Sequence, residues 1–160
     1  MYRIGYGEDI HRLEKGRKLV LGGISIPFDK GLVAHSDGDV LLHAIGESIL
    51  GALALGDLGK FFPDTDDKYK DVDSGYLLQE ITKLMINHGY QIKNIDSSLF
   101  LEEPRMSSHI DEMRKRISVI LGIGISQVSV KACTNEGLDE VGKKHAIRAV
   151  AICLLEKIRK

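Results

Sequence analysis

The strongest constraint on the fold is a change of hydrophobic period along the chain. Leu41, Ile45, Ile49 and Ala52 recur at helical spacing, as do Leu77, Ile81, Leu84 and Met85, and again Ile110, Met113, Ile117 and Ile120. Each stripe gives a helix one apolar face to bury. Between the second and third stripes, Ile95, Ser97, Leu99 and Leu101 alternate with Asn94, Asp96, Ser98 and Phe100, which is the period of a strand. One-sided helices interleaved with strands need a shared core, and 160 residues suffice for one domain rather than two ordinary ones. The expected class is α+β, with helices stacked on one face of a small sheet.

Local signals set the boundaries. Tyr2 to Gly7 reads as a short opening strand. Leu19-Val20-Leu21 and Ile24-Ser25-Ile26 flank Gly22-Gly23, a pair suited to a tight hairpin turn, and Pro27 ends the second arm. Asp39 is placed to cap a helix running to about Leu55, with Gly56 as its stop. A second helix is expected from Ser74 to Gly89, and a third from Ser107 or Ser108 to Leu121. Val128 to Val130 reads as a strand. Ala146 to Ile158 is apolar nearly all round, so its period fits a buried helix or a buried strand.

Composition excludes several functions. Lys and Arg total 22 against 23 Asp and Glu, a net charge of −1, a balance that argues against a generic nucleic-acid or polyanion binder. No apolar run is long enough for a membrane span, and no signal-peptide pattern opens the chain. Cys133 and Cys153 lack metal or redox spacing and suit reduced thiols in a cytoplasmic compartment, or an organellar one if a transit peptide had been trimmed.

The chemistry-bearing candidates are few. Asp9 and His11, two apart on an extended chain, point to one side and can supply two ligands of a zinc site. His43, off the apolar stripe of the first helix, is the best third ligand; the alternative is that Asp9 caps a turn and both histidines are surface residues. Asp57 to Asp66 packs carboxylates, a glycine and two phenylalanines into ten residues. It reads as a ligand-binding loop or, by default, as an ordinary helix connection. A calcium loop starting at Asp64 fails, because Tyr69 and Gly75 stand at its glycine and glutamate positions. Gly5-x-Gly7 lacks the third glycine of a dinucleotide fingerprint, and no phosphate-binding P-loop occurs. Cys133 with His145 is better read as a small buried-type thiol than as a nucleophile pair.

Four segments in order carry a resemblance: Gly5-Tyr6-Gly7-Glu8-Asp9-Ile10-His11; Ala34 to His43 with its S-D-G-D-x-x-x-H pattern; Gly56 to Asp66 with F-P-D-T-D; and Val130-Lys131-Ala132-Cys133-Thr134-Asn135-Glu136. Together they resemble the 2-C-methyl-D-erythritol 2,4-cyclodiphosphate synthase family over nearly the whole chain. The resemblance implies a single synthase domain over residues 1–160 with a four-stranded mixed sheet, helices on one face and a small β-hairpin. It implies a homotrimer with active sites at subunit interfaces, and makes the last segment a buried strand near the trimer axis. The implied activity is a cyclising, CMP-releasing phosphorus–oxygen lyase. The 2-phosphate of 4-diphosphocytidyl-2-C-methyl-D-erythritol 2-phosphate attacks the β-phosphorus, giving the cyclic diphosphate and CMP.

By the same resemblance Asp9, His11 and His43 hold one tetrahedral Zn²⁺ per subunit, and Glu136 holds Mg²⁺ or Mn²⁺ on the diphosphate. His35 and Thr134 stabilise the reacting phosphates. Ser36, Asp57, Leu58, Gly59, Phe62, Asp64, Thr65 and Asp66 belong to the erythritol-phosphate pocket. Leu101 to Ser107, with Arg105 and Met106 among them, and Cys133 correspond to the cytidine side, Asn135 is a further substrate contact, and Lys143 is a phosphate-facing cation. The chain departs from the family at Arg105-Met106-Ser107, where Lys-Met-Leu is common. It departs again at Gly142 to Ala146, where an arginine within a glycine-rich stretch is replaced by Lys143, and at Glu140 in place of an aromatic. Two other functions remain to be weighed: a zinc-dependent nucleoside-diphosphate phosphohydrolase, and a metal- or nucleotide-binding module without turnover.

Overall fold

The computed structural model describes residues 1–63 and 65–159. Its strands are β1 (Tyr2–Lys15), β2 (Leu19–Leu21), β3 (Ile24–Ile26), β4 (Lys30–Leu32), β5 (Tyr90–Phe100), β6 (Val128–Cys133) and β7 (Ala146–Lys157). Its α-helices are α1 (Val40–Ala52), α2 (Leu58–Phe61), α3 (Ser74–Asn87), α4 (Ile110–Leu121) and α5 (Asp139–Gly142). The main sheet runs β4-β1-β7-β5-β6, with β5 and β6 parallel and the other pairs antiparallel. β2 and β3 form a separate hairpin across Gly22 and Gly23, both at positive φ as the tight turn requires.

The sheet has five strands rather than the expected four. β1 runs to Lys15, well past Gly7, and its overhanging end at Leu13 to Lys15 pairs with the short β4. Apolar alternation stops at Glu8 because Asp9 and His11 take the inward positions where a core would place aliphatic side chains. The last segment is the central strand β7, flanked by β1 and β5. Its row Ile147, Ala149, Ala151, Cys153 and Leu155 is buried beneath the helices, while Ile152 on the opposite face is exposed. The third helix starts at Ile110 with no side-chain cap, so neither Ser107 nor Ser108 caps it.

Two devices fix α1 on this sheet. Gly5 and Gly7 face the helix, and a Cβ on Gly7 would lie 2.0 Å from the Ala44 carbonyl oxygen and 2.6 Å from the Ser48 nitrogen. Only glycine lets helix and strand backbones approach so closely. Cys153 on the neighbouring strand donates to the Ser48 carbonyl at 3.3 Å. Asp39 anchors the other end. Fully buried, its carboxylate accepts the helix amides of Leu41 and Leu42 at 3.1 Å and the hairpin amides of Gly22 at 3.0 Å and Gly23 at 2.7 Å. A single N-cap carboxylate thus joins the helix start to the β2–β3 turn.

Substitution of Gly7 should separate close packing from helix propensity. Gly7→Ala meets backbone on both sides and is expected to cost at least about 3 kcal/mol in urea unfolding. Gly51→Ala in the same helix, whose new Cβ would have only the Tyr6 carbonyl oxygen at 3.6 Å, should instead stabilise by about 0.5–1 kcal/mol. Equal effects at the two glycines would contradict the packing described.

Candidate metal and ligand site

Asp9 and His11 continue the inward row of β1 begun by Gly5 and Gly7, and His43 lies in the first turns of α1 directly above them. The His43 Nδ1 is 2.9 Å and the His11 Nε2 3.0 Å from Asp9 Oδ2. Among the described residues this is the one group of three whose ligand atoms all lie within 4.8 Å of one another. The His11 Nε2 is buried and, although 3.0 Å from Asp9 Oδ2, makes no well-aligned hydrogen bond, so its only polar neighbour is the cluster itself. Two imidazole nitrogens and a carboxylate oxygen in this arrangement fit a divalent metal ion.

The electrostatics follow from the same contacts. Burial alone would raise the Asp9 carboxyl, but the two histidines outweigh it and hold it well below the usual carboxylate range. Burial would lower His43; Asp9, with Asp39 and Asp37 behind it, raises it instead. On the far side of the ring, His43 Nε2 meets Ser74 Oγ at 2.8 Å and Ser36 Oγ at 3.2 Å. Ser74 in turn donates its hydroxyl to Asp37, which also accepts the Ser74 amide. This chain directs Nδ1 toward Asp9 and fixes the ring's orientation, as partners of metal-binding imidazoles do.

The cluster opens into a cavity of about 210 Å³ lined by His35, Ser36, Leu58, Gly59 and Phe62 together with Glu8, Glu47, Tyr69 and Val72. The His35 Nε2 is 3.2 Å from the Asp66 carbonyl oxygen, which ties it to the following loop. Asp57 and Asp66 do not line this cavity: each accepts a backbone amide at the start of a short helical turn, from Lys60 and Lys68 respectively. Thr65 also lies outside the lining, and Asp64 falls outside the described residues. Glu47 holds the start of α2 by accepting the Leu58 amide at 3.1 Å, and burial raises its carboxyl.

A second cleft of about 530 Å³ lies where β5 and β6 end. Leu101, Arg105, Met106, Ser107, Cys133 and Thr134 line it, along with Glu102 and Pro104. Asn135, Glu136 and Lys143 are not part of its wall; Lys143 pairs with Glu140 at 2.9 Å. Among the described residues none lines both clefts, and His35 and Thr134 stand in different ones. Asp37, Ser74 and Glu47 escaped the sequence reading as site residues, and Glu102 entered it only within the cytidine-side span Leu101 to Ser107. Only the Asp37 position, inside the S-D-G-D motif, carried a local signal.

The YgbB family matches residues 2–156. A 2-C-methyl-D-erythritol 2,4-cyclodiphosphate synthase of Chloroherpeton thalassium is 53% identical over 156 residues, covering 98% of this chain and 99% of the relative. The bifunctional IspDF of Campylobacter jejuni superposes with a TM-score of 0.95 at 34% identity, over 99% of this chain and 43% of that longer one. IspF of Plasmodium falciparum in its CDP complex superposes with a TM-score of 0.87 at 36% identity, over 99% of this chain and 97% of that one. The family match spans almost the whole chain, and a full-length relative shares half its residues. The chain therefore belongs to the YgbB family, that of the 2-C-methyl-D-erythritol 2,4-cyclodiphosphate synthases.

Proposed function

We propose that this chain converts 4-diphosphocytidyl-2-C-methyl-D-erythritol 2-phosphate to the 2,4-cyclodiphosphate and CMP. The single observation that carries this reading is the Asp9-His11-His43 cluster at the mouth of a polar cavity, in a chain about half identical to a synthase. An oxygen of the substrate's 2-phosphate forms a bond to the β-phosphorus as the bond from that phosphorus to the α-phosphate bridge breaks. The electron pair leaves on the CMP phosphate. No water is consumed, and no protein nucleophile is needed. Catalysis is then positioning and charge neutralisation.

The roles follow that division. Asp9, His11 and His43 hold Zn²⁺, which when bound supplies Lewis-acid polarisation of a phosphate oxygen. His35 and Ser36 orient the attacking phosphate, and Leu58, Gly59 and Phe62 shape the wall against the methylerythritol carbons. Asp57, Thr65 and Asp66 set the loop around that wall, and Asp64 is assigned to the erythritol phosphate by the motif alone. Leu101, Arg105, Met106, Ser107 and Cys133 receive the cytidine, with Thr134, Asn135 and Glu136 at the diphosphate and Mg²⁺ or Mn²⁺ on Glu136. Lys143 contributes a point charge rather than a bidentate fork.

A homotrimer accommodates two observations. Among the described residues the clefts share no lining residue, which is compatible with a complete site that draws one cleft from each of two neighbouring subunits. The sheet face opposite the helices also leaves Tyr2, Ile4, Tyr6, Ile10 and Ile152 exposed, an apolar surface suited to an assembly interface. Residues 1–160 act as one synthase domain in the cytoplasm; among the described residues no helix is long and apolar enough to cross a membrane. A phosphohydrolase gains no support from the relatives, which are synthases by name.

³¹P NMR with the substrate tests the reaction: CMP together with two coupled cyclic-diphosphate resonances is expected, lost with chelator and restored by zinc plus magnesium. Free phosphate in place of the cyclic product would overturn it. His43→Ala should abolish zinc retention and lower turnover by more than about 100-fold, read by metal analysis and CMP release. Ser74→Ala, which leaves all three ligands in place, should weaken zinc by about 10–100-fold in chelator competition.

Zinc affinity should also depend on pH in a stated direction. His43 must release its Nδ1 proton to donate a lone pair, so protons compete with metal. Its raised value carries that competition above 6.5, the ordinary imidazole value. Apparent affinity therefore falls as pH falls and levels off only above that value. A profile already flat there, measured from about pH 6 to about pH 9, would contradict the assignment.

A further inference from the structure

β5 and β6 run in parallel and end side by side at Phe100 and Cys133. The Leu101 amide donates to the Cys133 carbonyl at 3.1 Å, extending their pairing by one residue. Glu102 then leaves the sheet and reaches across to the segment that follows β6. Its Oε1 accepts the Asn135 amide at 2.9 Å and the Gly137 amide at 3.5 Å. These two amides bracket Glu136.

Glu136 has a φ of +53°, and Gly137 follows at +75°. The left-handed region is natural for the glycine but costs a side-chain-bearing residue roughly 1–2 kcal/mol. Such a residue keeps that conformation when its surroundings enforce it. The enforcing group here is the Glu102 carboxylate, which takes the amide on each side of the strained residue. Inside the turn the Glu136 amide donates to Thr134 Oγ1 at 3.3 Å, and the Thr134 hydroxyl donates to Glu136 Oε1 at 3.5 Å. The Asn135 side chain is drawn away to Asp139 at 2.8 Å and leaves its amide to Glu102. The neighbouring Glu103 is paired with Lys144 at 2.8 Å, whereas Glu102 forms no salt bridge among the described residues. Glu102 thus acts through its acceptor oxygen.

We infer that Glu102 is a positioning residue: its carboxylate clamps the Thr134–Gly137 turn so that the Thr134 hydroxyl and the Glu136 carboxylate stand ready for the diphosphate and its divalent cation. This rests on the reading of Thr134 and Glu136 given above. Because Glu102 begins in the second cleft wall, the clamp also joins the nucleotide side of the site to the phosphate side. It requires an acceptor in this place and no charge.

The isosteric pair Glu102→Gln and Glu102→Met tests it in the full-length, zinc-loaded protein. Gln keeps the acceptor oxygen and Met does not. Two quantities are read: the Mn²⁺ concentration giving half-maximal CMP release, and Mn²⁺ binding by electron paramagnetic resonance with CDP as probe. E102M, which loses both amide hydrogen bonds, should raise the Mn²⁺ requirement by about tenfold or more and lower kcat. Zinc content should stay at the parent level, and E102Q should stay within about twofold of the parent. An unchanged Mn²⁺ requirement with a raised substrate KM would make Glu102 a nucleotide contact and overturn the clamp. E102Q as impaired as E102M would overturn the acceptor role, and zinc loss with a lowered Tm in both variants would leave a purely structural residue. Glu136→Ala is measured beside them: a normal Mn²⁺ requirement in that variant would refute the reading of Glu136 itself.

Discussion

The site depends on how closely the backbone of α1 approaches the backbone of β1. Gly5 and Gly7 admit the helix, and Asp9 and His11 continue the same inward row as ligands. One strand face thus changes from packing surface to chemistry within a few residues. The helix that rests on the glycines carries His43 over Asp9 at 2.9 Å. Had Gly7 a side chain, the 2.0 Å clash with Ala44 would lift the helix and His43 with it. Asp39 sets the axial position of the helix by tying its first amides to the hairpin turn.

Charge is handled in the same economical way. The two imidazoles lower the Asp9 carboxyl and the carboxylates around His43 raise its ring, so the opposite charges of the cluster favour one another. The Ser74–Asp37 chain fixes the ring in the orientation that would present Nδ1 to a metal ion. The reaction proposed here brings its own nucleophile, which explains why the clefts hold phosphate-orienting and metal-binding groups and no activated serine or cysteine. Cys133, the one exposed cysteine, sits in the wall of the second cleft.

The three long helices and the hairpin were legible because their signals are local, whereas the four-residue helices α2 and α5 are too short to show a period. The period-3.6 stripes, Asp39 and the Gly22-Gly23 pair each act within a few residues. β1 was read too short because Glu8, Asp9 and His11 break apolar alternation where the site begins, and β4 is too short to show a period. Ala146 to Ile158 could not be typed by period because β7 is buried on one face and also carries Val150, Ile152 and Leu154, half-buried or exposed, on the other. Asp57 and Asp66 looked like ligand contacts, yet their carboxylates cap short helical turns, a use that residue type alone cannot distinguish. The ligand triad spans 34 residues of sequence between Asp9 and His43, and spacing left it undecided; the ordered motifs raised it. Ser74 and Glu47 had no signal as site residues, and the cytidine-side span that contains Glu102 gave no hint of its reach to the Asn135 and Gly137 amides, since each works through a contact that only the folded chain creates.

The most direct test of the account is anomalous diffraction at the zinc edge from crystals of the zinc-loaded protein. One strong peak per chain is expected, bounded by Asp9 Oδ2, His11 Nε2 and His43 Nδ1, at about 2.0–2.2 Å from each ligand atom. A peak at another set of side chains, or none despite stoichiometric zinc in solution, would contradict the claim that helix-on-strand packing builds the metal site.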